Sequence, residues 1–152
     1  MKRLILLSFL MAICVSQYAQ LAQKEYDSTL AKSYGADEYG MKHYVLVMLI
    51  PGTNNLEKGA ERDSLFRGHM KNIGRLAESG QLVLAGPFED NVRSYRGLFI
   101  LNVKSIADAK DLLQSDPVIK SKVLDAELYE WYGTAALGEY LKLQKSITKK
   151  PH

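Results

Sequence analysis

Two short runs constrain this chain more than anything else in it. Tyr44-Val45-Leu46-Val47-Met48-Leu49-Ile50 is apolar at every position, and Gly97-Leu98-Phe99-Ile100-Leu101-Asn102-Val103 at nearly every one. The first contains several β-branched residues and is followed directly by Pro51-Gly52, so strand is favoured over helix. Unbroken apolarity requires cover on both faces. Such strands belong in the interior of a sheet.

The segments between them supply the rest of a sheet and its helices. Asp63 or Ser64 is expected to cap a helix running to about Ser79, because Leu65, Phe66, Met70, Ile73, Leu76 and Ala77 follow helical spacing. Gly80 supplies its left-handed end. Gly68 and Gly74 each weaken this helix by about 1 kcal/mol relative to Ala, and are read as permitting close packing against the sheet. Leu82–Ala85 is a second strand, ended by Gly86-Pro87, and Asp90-Asn91 lies in the following turn. Ser105 caps a second helix with Asp108 in the reciprocal position, and Ile106, Ala109, Leu112 and Leu113 form its buried stripe. Asp116-Pro117 opens a short turn of helix, and Ala126–Tyr132 is the last strand, interrupted by Glu127 and Glu130.

Strand, helix, strand, strand, helix, strand is the split βαβ order. The expected class is α+β, a ferredoxin-like βαββαβ arrangement with an antiparallel sheet and helices on one face. The other face needs a cover, since large bare apolar sheets are uncommon in monomers. A second copy is the expected cover, giving a two-fold homodimer of the dimeric α/β barrel type. The N-terminal leader or the segment Ala135–Leu143 is the alternative cover.

The ends carry different information. Lys2 and Arg3, the apolar run Leu4–Val15 and the small or polar Ser16–Ala19 form the pattern of a secretory signal peptide over residues 1–19. The run is shorter than the roughly 20 residues a membrane span needs, so no stable membrane insertion is expected once it is removed. Cys14 is the only cysteine and follows Ile13, not the small residue of a lipoprotein signal. The expectation is a secreted or periplasmic protein held by an ordinary core rather than disulfides. Residues 20–41 read as a polar leader with a short helix around Glu25–Ser33, residues 42–133 as the domain, and 134–152 as a helical segment with a basic tail. The net charge of +3 includes Lys2 and Arg3, and Lys142, Lys145, Lys149 and Lys150 read as a solvated tail. No nucleic-acid motif, phosphate loop or dinucleotide fingerprint is present. His43, His69 and His152 lack ligand spacing, so neither metal nor cofactor is expected.

The candidate chemistry centres on His69. It stands three residues after Phe66 and four before Ile73, on the helix face turned toward the sheet. Asp90, just past the second strand, is the expected carboxylate partner. A carboxylate on one ring nitrogen fixes the tautomer and leaves the other as a base. Asn72, one turn on, is a candidate for holding a polar substrate group, Arg96 for pairing with an anion, and Trp131 for an aromatic wall. Each has a plainer reading: a hydrogen-bonded core histidine, a turn Asp-Asn, a solvated Asn, a surface Arg and a core Trp.

Residues 42 to about 132 resemble the YciI-like (YCII-related) family. The resemblance rests on His69, on Leu76 with Gly80-Gln81-Leu82, on Ala85-Gly86-Pro87-Phe88 with Asp90, on Arg96-Gly97, on Asp116-Pro117 and on Trp131. The flanks Gly35-Ala36-Asp37 and Trp131-Tyr132-Gly133 resemble an exported Bacteroidetes-type branch. Ser121-Lys122 departs from the pattern, since many relatives carry a glycine before the last strand. The resemblance implies a ferredoxin-like dimer with a pocket near the His/Asp pair, and one relative is held to eliminate a halide from a chlorinated aromatic with such a pair. The expected function is therefore a cofactor-free small-molecule enzyme of lyase, isomerase or hydrolase type. A non-catalytic ligand-binding or structural homodimer is the alternative.

Overall fold

A computed structural model describes residues 26–150. The signal-peptide segment with Cys14, and residues 20–25 of the leader, lie outside the described residues. The chain divides after Leu30 into two compact units, of which the first contributes only residues 26–30 to the description. Helix α1 (Ser28–Tyr34) ends at Gly35 with φ +67°, the left-handed geometry glycine adopts without cost.

The second unit is a four-stranded antiparallel sheet with helices, ordered β1 (Met41–Pro51), α2 (Ala60–Glu78), β2 (Leu82–Pro87), β3 (Gly97–Leu101), α3 (Ile106–Leu113), α4 (Pro117–Lys120), β4 (Leu124–Thr134), a 3-10 turn (Ala135–Glu139) and α5 (Tyr140–Ile147). The strand order is β2-β3-β1-β4, with every pairing antiparallel. The two all-apolar runs thus occupy the centre. Val47 is paired with Phe99 on one side and Leu128 on the other.

Alternation along β1 divides the core in two. Val45, Val47 and Leu49 join Phe99 and Leu101 under Leu76 of α2, Ala109 and Leu113 of α3, and Val118 and Ile119 of α4. On the opposite face Tyr44, Val83 and Ile100 form a smaller cluster with Leu46, Leu84, Leu98, Trp131 and Leu137. The 3-10 turn carries Leu137 and covers one end of this face, so the alternative cover is partly realised within the chain. The Tyr44 hydroxyl donates to the Thr134 carbonyl at 2.9 Å, and burial raises its pKa. Leu46, Met48 and Leu98 stay half-buried, and Tyr129 is 49% exposed.

Three local expectations change. Helix α2 starts at Ala60 with Gly59 as its N-cap and no side-chain cap, so Asp63 stands inside the first turn with Glu61. There the two carboxylates complement the positive helix end. Strands β1 and β4 each run 11 residues, longer than the apolar stretches, because they pair along their whole length. Strand β3 stops at Leu101, because the Asn102 N–H turns to the Gln81 carbonyl and its amide to the Gly80 carbonyl. Gly80 is left-handed at φ +71°, and Ser105 caps α3 by accepting the Asp108 N–H, both as expected.

Candidate functional site

His69 is 7% exposed and lies on the inner face of α2, between two phenylalanines. Its ring stacks with Phe99 at 5.8 Å and meets Phe66 edge-on at 6.0 Å. Its Nδ1 lies 2.7 Å from Oδ2 of Asp116, a carboxylate with no solvent exposure. The partner is therefore Asp116, 47 residues away in sequence, and not Asp90.

Asp116 reaches that position for a local reason. A residue before proline is driven to extended backbone, and Asp116 has φ −89° and ψ 117°. Pro117 then occupies the first helical position, where its missing N–H costs nothing. Asp116 becomes the N-cap of α4, and Oδ1 accepts the Val118 N–H at 3.0 Å. The same carboxylate faces α2, where Oδ2 accepts from His69 and, at 3.4 Å, from the Asn72 amide. A carboxylate already receiving a backbone N–H and an amide acts as acceptor, so the proton of the His69 pair sits on Nδ1. Among the described residues Nε2 has no hydrogen-bond partner, and no buried side-chain polar atom is left unpaired. Nε2 is thus the atom a ligand can reach.

His69 borders a cavity of about 890 Å³ between α2, the loop after β1 and the start of β3. That volume suits a small organic ligand. Its walls are mostly apolar, with Leu49, Phe66, Met70 and Phe99 prominent, and Arg62 and Arg96 supply charge.

The other expected site residues separate. Arg96 lines the cavity. Asn72 is buried behind His69; its amide faces Asp116 and its carbonyl oxygen accepts from Arg75 at 2.8 Å and Ser115 at 3.1 Å. It braces the pair and does not line the cavity. Trp131 lies on the opposite sheet face against Tyr44, ring centroids 5.7 Å apart, because it occupies the register position across from Tyr44. Asp90 is exposed in the loop that Asn91 organises and is not a cavity-lining residue. Asn91 accepts the Arg93 and Tyr95 N–H groups and donates to the Glu89 and Tyr95 carbonyls. Sequence reasoning missed Asp116 and Arg62 as site residues. The signal for Asp116 was its place before Pro117, which marks a buried-side helix cap as readily as a turn.

Among the described residues no three His, Cys, Asp or Glu side chains converge as a metal ion needs, and no helix is long and apolar enough to cross a membrane. A search of curated proteins finds no match. The YCII-related domain model matches residues 41–132, all of the sheet but the last two residues of β4, with α2, α3 and α4. On that match the chain belongs to the YCII-related domain family.

Proposed function

We propose that the protein is a cofactor-free small-molecule enzyme in which His69 Nε2 moves a proton to or from a ligand held in the cavity. The observation that carries this reading is the 2.7 Å His69–Asp116 contact with the other ring nitrogen left for the cavity. Nε2 takes a proton from a C–H, O–H or bound water; Asp116 holds the ring in place and stabilises the imidazolium that forms. Proton transfer by a positioned side chain typically contributes about 10²–10⁴-fold. Stacking on Phe99 and contact with Phe66 fix the ring plane and keep bulk water from it. Lyase, isomerase and hydrolase steps all begin in this way.

The test is solvent-deuterium incorporation into a panel of ketones, carboxylic acids, esters and phenols, followed by proton NMR with wild type and His69→Gln. Exchange catalysed by wild type and reduced at least 100-fold in the variant supports the proposal. If no compound exchanges faster than in buffer, the second reading takes over. That reading is a ligand-binding or structural homodimer in which the pair is a polar core element, and it is favoured by the capping bond from Asp116 to α4.

The proposal includes export and pairing. Lys2-Arg3 followed by Leu4–Val15 supports secretion to the periplasm or beyond. The half-buried Leu46, Met48 and Leu98 on the sheet face opposite α2, α3 and α4, only one end of which the 3-10 turn covers, support a two-fold dimer through that face, and with it the ferredoxin-like dimeric class.

A further inference from the structure

The cavity beside His69 has a charge asymmetry that the His69–Asp116 pair does not use. Its lining includes two arginines and no carboxylate. Arg62 is half-buried and held in place: one guanidinium N–H group donates to the Leu56 carbonyl at 3.0 Å, and Cζ stands 5.0 Å from the Phe66 ring centroid. Among the described residues its other N–H donors make no hydrogen bond, which leaves them to a ligand. Arg96 is fixed through its backbone, the N–H donating to the Leu49 carbonyl at 2.8 Å and the carbonyl accepting from Phe88. Neither guanidinium forms an ion pair among the described residues.

Two guanidinium groups without a protein counter-charge, at the edge of an apolar cavity, match an anion carried on an apolar body. Guanidinium is the side chain best shaped for a planar carboxylate, which it grips with two parallel hydrogen bonds. We infer that the cavity binds an extended organic carboxylate, with Arg62 and Arg96 taking the carboxylate and the Phe66 and Phe99 rings its apolar body. This deepens the proton-transfer reading, since it rests on the same cavity and supplies its substrate class.

The helix sets the length of the ligand. Arg62, Phe66 and His69 succeed one another on one face of α2. Seven residues of helix set their Cα atoms about 10 Å apart along the axis, and the Phe66 ring stands between the two side chains, 5.0 Å from the Arg62 Cζ and 6.0 Å from the His69 ring. A carboxylate held at Arg62 therefore lies several bonds from the atom that meets Nε2. Acetate cannot occupy both ends, whereas an arylalkanoate with a chain of a few carbons can.

The test is calorimetric titration of the protein with a series of arylalkanoates, from phenylacetate to 6-phenylhexanoate, each beside its uncharged amide, with acetate as the short control. At least one carboxylate is expected to bind at least tenfold more tightly than its amide, with acetate showing no binding. The preference should shrink in high salt, disappear in Arg62→Gln or Arg96→Gln, be partly restored in Arg62→Lys, and persist in His69→Gln. Failure of every carboxylate to bind, equal binding of carboxylate and amide, or a preference that survives both arginine replacements overturns the inference. The proton-transfer proposal fails separately: charge-selective binding without deuterium exchange removes catalysis and keeps the ligand class, and exchange confined to uncharged compounds does the reverse.

Discussion

Gly68 and Pro117 touch where α2 meets α4, and no Cβ fits between them: one built on Gly68 would lie 2.7 Å from Pro117 Cγ. The glycine one residue before His69 is thus what lets the residue one after Asp116 approach α2. It serves helix–helix contact rather than the helix–sheet contact expected of it, and Gly74 has nothing within 4 Å of its would-be Cβ.

Gly68→Ala is expected to push α4 outward and lengthen the His69–Asp116 hydrogen bond. Overpacking of this kind costs about 1–3 kcal/mol, and the gain in helix propensity offsets about 1 kcal/mol. Gly74→Ala, at an exposed position with open space, should gain about 0.5–1 kcal/mol. Urea unfolding measures both, and nitrogen-15 NMR of the imidazole reads the loss of the fixed Nδ1–H tautomer in Gly68→Ala only. Equal behaviour of the two variants would remove the special role of Gly68.

Asp116→Ala deprives both the His69 ring and the Val118 N–H of their acceptor. Unpaired buried donors and a lost cap together should cost about 2–4 kcal/mol. Asp90→Ala, on an exposed loop, should stay within about 0.5 kcal/mol of wild type. Chemical denaturation of the two variants distinguishes the carboxylates, and a larger loss in Asp90→Ala would contradict the pairing described here.

Lys122 sits at φ +59°, in the turn between α4 and β4. Left-handed backbone costs a side-chain-bearing residue about 1–2 kcal/mol, while its 3.6 Å ion pair with Asp125 is exposed and contributes little. Lys122→Gly should therefore gain about 0.5 kcal/mol after the entropy of the unfolded glycine is counted. A lower thermal midpoint in this variant would argue against strain at the turn.

Asp37 accepts the Tyr132 hydroxyl and the Met41 and Tyr39 N–H groups, and in that order these hold its carboxyl below the usual carboxylate range. The same hydrogen bond raises the Tyr132 hydroxyl. Because the folded pKa of Asp37 is depressed, its contribution to stability is present above the ordinary carboxylate range and is lost as pH falls through the lowered value. Tyr132→Phe should move the Asp37 titration upward, toward the ordinary value, and shift the acid unfolding limb in the same direction. Carboxyl carbon-13 NMR follows the midpoint; an unchanged midpoint would show that the hydroxyl contributes nothing.

Met48→Lys places a charge in the middle of the half-buried sheet face. If two copies pair through that face, wild type should scatter light as a dimer and the variant as a monomer with its circular dichroism unchanged. A monomeric wild type at micromolar concentration would end the pairing proposal.

Much of the architecture was legible in one dimension. The runs at Tyr44–Ile50 and Gly97–Leu101 announced the central strands because their apolarity is unbroken by polar alternation, although Leu46, Met48 and Leu98 on the second face stay half-buried. The helical spacing of Phe66, Ile73 and Leu76 announced the face that carries His69, and Gly80 and Ser105 marked helix ends by local chemistry alone. Pairing along a full 11-residue register lengthened β1 and β4 beyond their apolar cores, since a strand ends where its partner does.

The acid partner of His69 was decided only in three dimensions. Asp90 and Asp116 both stand beside a turn signal, and periodicity treats them alike. What separates them is that α4 docks on α2 through Gly68 and Pro117, which buries one carboxylate against the imidazole and leaves the other in solvent. Trp131 faces away from the cavity for a similar reason: its face follows from its register with Tyr44. Local sequence determined which elements form and which faces are apolar, because backbone sterics and hydrophobic period act over a few residues. Packing between elements distant in the chain decided which polar groups meet.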